Sequence, residues 1–465
     1  MHRLTFILVL ATLAAEAKPP ILTPPETPIL GELDPYLLQT LYKSKDTDTG
    51  LVEIIDEERF NELTSKHDLS LFGGPMLGCV SDTSAKFWVR TPGSAKVQVI
   101  AGDRVSETIE TKATDDFTGV VALTGLAPQT SYHYEILVNG KPVFAEDLPS
   151  FTTYPMKQQP ATVSIGFGGC ARYNPPREHM WDVIAGHQLD AFLFLGDNVY
   201  IDLPEHRTKQ RVHYYRRQLR PEFQRFTAST PIYSIYDDHD LGKNDSAGGL
   251  HPFEPEWKYL SWKVFRENWN NPAYGGGEQQ PGCWFDFSIG DIDFFMLDGR
   301  YYRSFENGTM LGPAQLEWLL EKLKQSTATF KVIACGTLWT EHAEKKGRDS
   351  WWGVKDEREK IFSLIEEEDI GGVILLSSDR HRSDVYLIER PNAYDLYEFE
   401  SGKLTNEHTH PTRKEALFSY NEGNFFGMLT FDLTKSDPEV TFQCVTIDDE
   451  SVYELTLQRS QLEAN

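Results

Sequence analysis

Five apolar runs in this chain stop abruptly and hand over to polar groups that can bind cations, and that recurrence constrains the fold more than any average property. The clearest is Phe192-Leu193-Phe194-Leu195, which ends at Gly196 and delivers Asp197, Asn198 and Tyr200. A short apolar run bounded by a breaker reads as a buried strand, and open α/β sheets collect their ligands at the carboxyl ends of such strands. Taken singly, Gly-Asp-Asn is only a turn. The repetition changes the reading.

Val163 to Gly169 leads into Cys170, and Pro231 to Tyr236 leads into Asp237, Asp238, His239 and Asp240, with Asn244 and Asp245 close behind. Ile292 to Leu297 is followed by Asp298 and Arg300, and Gly372 to Leu376 leads through Ser377-Ser378 to Asp379, Arg380 and His381. Cys170, Asp197, Tyr200, Asn244, Asp379 and His381 are therefore expected to meet in one pocket. Thiolate, phenolate and imidazole suit a transition metal, whereas carboxylate and amide oxygens suit calcium, magnesium or manganese, so the set is too heterogeneous for a single ion. Asp197, with two oxygens, can bridge a pair. Two metals about 3.5–4 Å apart generate hydroxide near neutral pH and neutralise charge on a phosphoryl group, which makes hydrolysis of a phosphate ester the natural reaction class.

The 465 residues exceed one compact core. Met1-His2-Arg3, an apolar stretch from Leu4 and Ala15-Glu16-Ala17 form an export signal over residues 1–17, without a twin arginine and too short for a membrane span. No later window is apolar enough to span, so the expected location is secreted or periplasmic. Residues 18–73 begin as a Pro-rich linker and continue with amphipathic helical spacing around Tyr36, Leu41, Phe60 and Leu63. Residues 74–157 carry short alternating runs separated by turn residues, a β-sandwich pattern, and Leu126 to Tyr132 resembles a fibronectin type III corner with Tyr132 as its tyrosine. Residues 158–465 alternate strands with helices, predicting an α/β layer architecture. Antiparallel strands are predicted near its end.

A net charge of −25 argues against a general nucleic-acid binder beyond any substrate role. Five cysteines are too few for a disulfide scaffold. Cys79, Cys335 and Cys444 lie in apolar runs, whereas Cys170 follows Gly168-Gly169 where a soft ligand can sit.

Phe167-Gly-Gly-Cys170, Gly196-Asp-Asn-Val-Tyr200-Ile-Asp202, the segment Asp237 to Gly248, Leu297-Asp-Gly-Arg300-Tyr-Tyr-Arg303-Ser304, Leu311 to Leu319 and Ser377-Ser-Asp379-Arg-His381 together resemble, in order, the motifs of PhoD-type alkaline phosphatases over roughly residues 74–431. The resemblance implies a mixed α/β (α+β) chain. Its core would be a four-layer metallophosphatase-like β-sandwich flanked by helices, preceded by the small fibronectin III-like β-sandwich. It also implies Fe(3+) and Ca(2+), with Cys170 and Tyr200 on iron, Asp197 as bridge, Asn244 and Asp379 on calcium and His381 completing the site. Ser378 stands where the family commonly has glycine.

His239 is a candidate proton donor to the departing alkoxide, or an orienting histidine. Arg300 and Arg303 can clamp a phosphate bidentately or lock a loop through ion pairs, and Arg300 is the candidate substrate-binding residue. The function expected is an exported, metal-dependent phosphoesterase acting on small phosphomonoesters, phosphodiesters or both at alkaline pH. The competing readings are a catalytically silent phosphatase-like binding protein and a purple-acid-type phosphatase or nucleotidase. Retention of all six candidate ligands disfavours the first, and Asp237-Asp238-His239 in place of Gly-Asn-His disfavours the second.

Overall fold

Strand Thr162–Gly168 decides the architecture of the larger part of the chain, because it is buried almost throughout and pairs on both edges. Its parallel neighbour is Ala191–Leu195, which in turn pairs in parallel with Ile232–Ile235. Strands covered on both faces read as continuous apolar runs, which is why these three were visible in the sequence. On the other edge Phe425–Asp432, Glu439–Thr446 and Ser451–Gln458 follow antiparallel and complete a six-stranded sheet. The computed structural model describes residues 30–144, 147–343, 349–391 and 393–463. The stretch read above as an export signal, residues 1–17, and most of the Pro-rich tail lie outside the described residues.

A second sheet runs Phe285–Ile289, Ile292–Leu297, Phe330–Cys335, Val373–Ser377, Leu396–Ser401, Ser383–Ile388 and Phe418–Tyr420. The two sheets face each other through aromatic pairs: Tyr233 stacks on Phe287 at 3.7 Å, Phe399 on Phe442 at 4.5 Å, and Phe330 meets Phe431 at 5.3 Å. Helices cover the outer faces. Trp181, on Met180–Gly186, packs on Phe194 of the first sheet, and Trp318, on Gly312–Gln325, packs on Phe295 of the second. The result is a mixed α/β structure in four layers, helix, sheet, sheet and helix, with the core between the sheets. Among the described residues no helix is long and apolar enough to cross a membrane.

The region before it forms two small sheets. Gly73–Gly78, Ser84–Arg90 and Thr118–Thr124 make one, and the other is built on Lys96–Ala101 and Ser131–Val138. Phe87 and Tyr134 join them at 4.6 Å. The Tyr132 hydroxyl accepts from the Ala127 N–H at 2.8 Å, five residues upstream, which is the contact a tyrosine corner makes. Tyr132→Phe is expected to cost about 1 kcal/mol, the net worth of one hydrogen bond, read as a small fall in thermal midpoint without loss of the fold.

This sandwich is fastened to the larger unit rather than tethered. Tyr134 donates to Ala228 O at 2.7 Å, Trp88 Nε1 to Glu267 O at 2.9 Å, and Asn270 Nδ2 to Met76 O and Lys86 O. The helical segment Leu33–Tyr42 packs against Arg207–Gln218, where Asp34 takes a buried bidentate contact from Arg216. Leu33, Leu37, Leu41, Phe60 and Leu63 are buried in one cluster with Val212, Tyr215 and Leu219.

Candidate metal centre

Each sequence-predicted strand end opens at the same edge of the two sheets, and the backbone there is bent into an uncommon conformation. Cys170, Asp197, Tyr200, Asp379 and His381 all have positive φ, from 50° to 78°. Left-handed backbone at cysteine, tyrosine or histidine costs about 1–3 kcal/mol each and persists where surrounding structure over-determines it, typically at functional sites. Here the surroundings are specific. Asp240 accepts from Asn198 N at 2.8 Å and Val199 N at 3.0 Å, which fixes the turn between Asp197 and Tyr200. Gly196 is required, since a Cβ there would lie 2.4 Å from the Asp237 Cβ. Gly169 makes room in the same way for Ser378, whose Oγ would be 2.3 Å from an added Cβ. Ser378 therefore fits because Gly169, beside it, has no side chain.

The ligand atoms of Cys170, Asp197 and His381 fall within 4.8 Å of one another, as do those of Asp197, Asp238 and His239. A third group unites Asp237, Asp238 and Asp379, and a fourth Asp238, Asp245 and Asp349. Asp197 belongs to two groups and Asp238 to three, so the four form one chain of donors. Its sulfur end has Cys170 Sγ at 3.8 Å from Asp197 Oδ2, and the Tyr200 hydroxyl at 3.3 Å from His381 Nε2. The other end is oxygen only. Soft and nitrogen donors suit a transition ion, and clustered carboxylates suit a hard cation. His381 is buried with Nδ1 lacking any hydrogen-bond partner, an orientation explained by a ligand role.

Burial pushes Cys170, Asp197 and Tyr200 well above their ordinary pKa values; Asp197 adds to the rise at the thiol and the phenol, and at Asp197 the pull of His239 opposes the push of Asp238, Asp237 and Asp240. Asp379 is raised to about 6 by burial against the pull of Arg380. A bound cation reverses that balance and favours the ionised forms, so the donor set fits metal. His239 moves the other way. Burial lowers its pKa, but Asp197, Asp238 and a 2.6 Å contact from Nδ1 to Asp202 outweigh it and raise it to about 11. Its ring stacks on Tyr200 at 4.4 Å.

Of the residues expected to meet, Cys170, Asp197, Tyr200, Asp379 and His381 do so. Asn244 lies on an exposed segment, and the next residue, Asp245, is the one whose carboxylate joins Asp238 and Asp349. The clamp expected of Arg300 is corrected. Its guanidinium is fully buried, forks onto Asp237 and reaches Asp349 Oδ1 at 2.6 Å, which is loop locking. Arg303 is likewise buried, held by Gly299 O, Thr337 and Asp349. Asp298 accepts from the backbone of Arg300, Tyr301 and Cys283, and Gln315 pins its main chain in both directions, so this motif shapes the floor of the site. Asp238 was expected only as one of the run Asp237 to Asp240 and not as a ligand, and Asp349 was not expected at all.

Among known proteins, the chain is 22% identical over 320 residues to alkaline phosphatase D of Bacillus subtilis (strain 168), covering 57% of this chain and 53% of that one. It thus spans about half the length of the curated relative it matches. A solved structure of PhoD superposes with a TM-score of 0.70 at 17% identity, over 84% of this chain and 92% of the other. The purple acid phosphatase PPD1 from yellow lupin (Lupinus luteus) seeds gives 0.60 at 11% identity, over 83% and 75%. These two show the metallophosphatase fold. Residues 68–156, which hold the small sandwich, match a model described as a domain of unknown function (DUF7800). Residues 165–465, well over half of the chain and every residue of the metal centre, match the model of the PhoD-like phosphatases, and the chain belongs to that family.

Proposed function

We propose that the protein is an exported, metal-dependent phosphoesterase that hydrolyses small phosphomonoesters, phosphodiesters or both at alkaline pH. The observation that carries this reading is the continuous chain of donors, soft at the Cys170 end and all-oxygen at the Asp349 end, with Asp197 shared between groups. In it, Cys170, Tyr200 and His381 would hold a ferric ion, Asp379, Asp238 and Asn244 would hold calcium, and Asp197 would be the carboxylate shared between them. Such ions supply a nucleophilic water and neutralise charge on the phosphoryl group.

The chain's own residues do the rest. His239, fixed by Asp202 and stacked on Tyr200, is positioned to give a proton to the departing alkoxide. Arg300 and Arg303 hold the acidic floor in place and do not touch substrate. Residues 74–157 act as a fibronectin III-like module carried against the catalytic unit, residues 158–465.

The test compares hydrolysis of p-nitrophenyl phosphate and bis-p-nitrophenyl phosphate, with elemental analysis of the same preparation. Chelation is expected to abolish turnover of whichever ester is cleaved, and readdition of iron with calcium to restore it. Metal-replete protein that cleaves neither ester would reject the proposal. Zinc or manganese alone at full activity would reject the iron and calcium assignment.

A further inference from the structure

We infer that His408 is a substrate-contacting residue that gives a ring N–H to a phosphoryl oxygen and favours phosphomonoesters over phosphodiesters. The inference rests on the phosphoesterase reading above. Its ring meets the His381 ring edge-on at 4.9 Å and the His410 ring at 4.8 Å, and His410 lies 5.6 Å from His381. His408 itself is exposed. It therefore stands on the solvent side of a buried candidate ligand, where an ester must enter. Its ring nitrogens make no hydrogen bond among the described residues, which leaves them for a ligand.

The position is built rather than incidental. Leu404 N and Lys403 N donate to Gly169 O, and Asn406 N donates to Cys170 O at 3.2 Å, so the segment is laid along the cysteine end of the centre. Thr405 Oγ1 donates to Arg172 O, Asn424 Nδ2 to Asn406 O at 2.8 Å, and Asn421 Nδ2 to His410 O at 2.8 Å. The His408 N–H is turned back onto Asn406 Oδ1 at 3.0 Å. Six contacts to two other segments, residues 169–172 and 421–424, and one within the loop thus fix a loop whose ring projects towards solvent. An imidazole has at least one N–H donor in either charge state. Such a donor meets the terminal oxygens of a monoester dianion, which carry more negative charge than those of a diester, and a hydrogen bond to an ionised group is worth roughly ten- to a hundredfold in affinity.

The experiment uses the full, metal-loaded chain and the variants His408→Ala and His408→Gln. For His408→Ala, KM for p-nitrophenyl phosphate should rise about tenfold with a smaller change in kcat. The ratio of kcat/KM for monoester over diester should fall, and the Kd for inorganic phosphate should weaken about tenfold by calorimetry. His408→Gln, which retains an N–H donor, should recover part of each loss. Unchanged phosphate affinity and an unchanged ester ratio would overturn the inference while leaving the phosphoesterase reading standing. Loss of iron or calcium in His408→Ala would also overturn it, because the ring would then support the metal centre rather than the substrate. A wild-type chain that cleaves no ester removes both.

Discussion

Asp197→Asn is expected to lower turnover on the order of a thousandfold or more, the scale seen when a single charge-stabilising group is removed from an active site, with the fold retained. The side chain is 1% exposed, and its two oxygens face different groups: Oδ1 accepts from His239 N at 3.3 Å, and Oδ2 lies 3.8 Å from Cys170 Sγ. Asparagine has the same shape and keeps one acceptor. It cannot present two anionic oxygens to two cations. The substitution should also be harmless to the chelated protein. Burial, then the nearby Asp238, Asp237 and Asp240, raise the Asp197 pKa well above the carboxylate range, against an opposing pull from His239. A carboxyl whose pKa rises on folding takes stability away as pH climbs from its unfolded value of about 3.9 towards the folded one. Removing that charge leaves the chelated variant at least as stable as the chelated wild type. Circular dichroism and elemental analysis separate the outcomes: a folded variant short of metal and inactive fits the bridge, and a folded, metal-replete variant with near-normal turnover rejects it.

How far the sequence reached depended on whether a residue's task leaves a local mark. The strands ending at Cys170, Asp197 and Asp379 are apolar on both faces, so their ends could be located, and whatever follows a strand end in an α/β sheet faces the ligand edge. Asp237, Asp238 and Asp240 also follow a buried strand, Ile232–Ile235, but nothing local told their tasks apart. All three are buried acids on one short turn, yet Asp237 caps Asp238–Leu241 and binds Arg300, Asp238 joins three donor groups, and Asp240 ties down the Asp197 turn. Only the rotation per residue of a helix assigns those tasks, and it is invisible in a run of like residues. Asp349 follows no apolar run, so nothing announced it. Strand Leu396–Ser401 escaped for a different reason. Glu398 and Glu400 alternate as solvent-facing residues would, but both are wholly buried. Glu398 satisfies its carboxylate with Trp339 N, Thr340 N and Ser377 Oγ, so the strand is interior despite its polarity.

Arg300→Met is expected to destabilise the chain by about 3–5 kcal/mol, because it breaks a buried pair and leaves carboxylates without a counter-ion. At the size of the larger unit that corresponds to a fall in thermal midpoint of roughly 10 °C. The guanidinium forks onto Asp237, touches Asp349 at 2.6 Å and lies 3.7 Å from Asp238, and none of these groups can turn to water. Arg300→Lys should recover little, since an ammonium cannot reproduce the planar fork. The loss also has a pH signature. Burial raises Asp237 to about 7 even with Arg300 opposing it, so without the arginine its pKa climbs further. Below that value the acid is neutral and the missing charge matters less, whereas above it the buried carboxylate stands alone. The gap in midpoint between variant and wild type, both chelated, should therefore widen from about pH 6 to about pH 9. A phosphate clamp predicts the opposite pattern, a raised KM with an unchanged midpoint at both pH values, and that result would return Arg300 to the substrate side of the site.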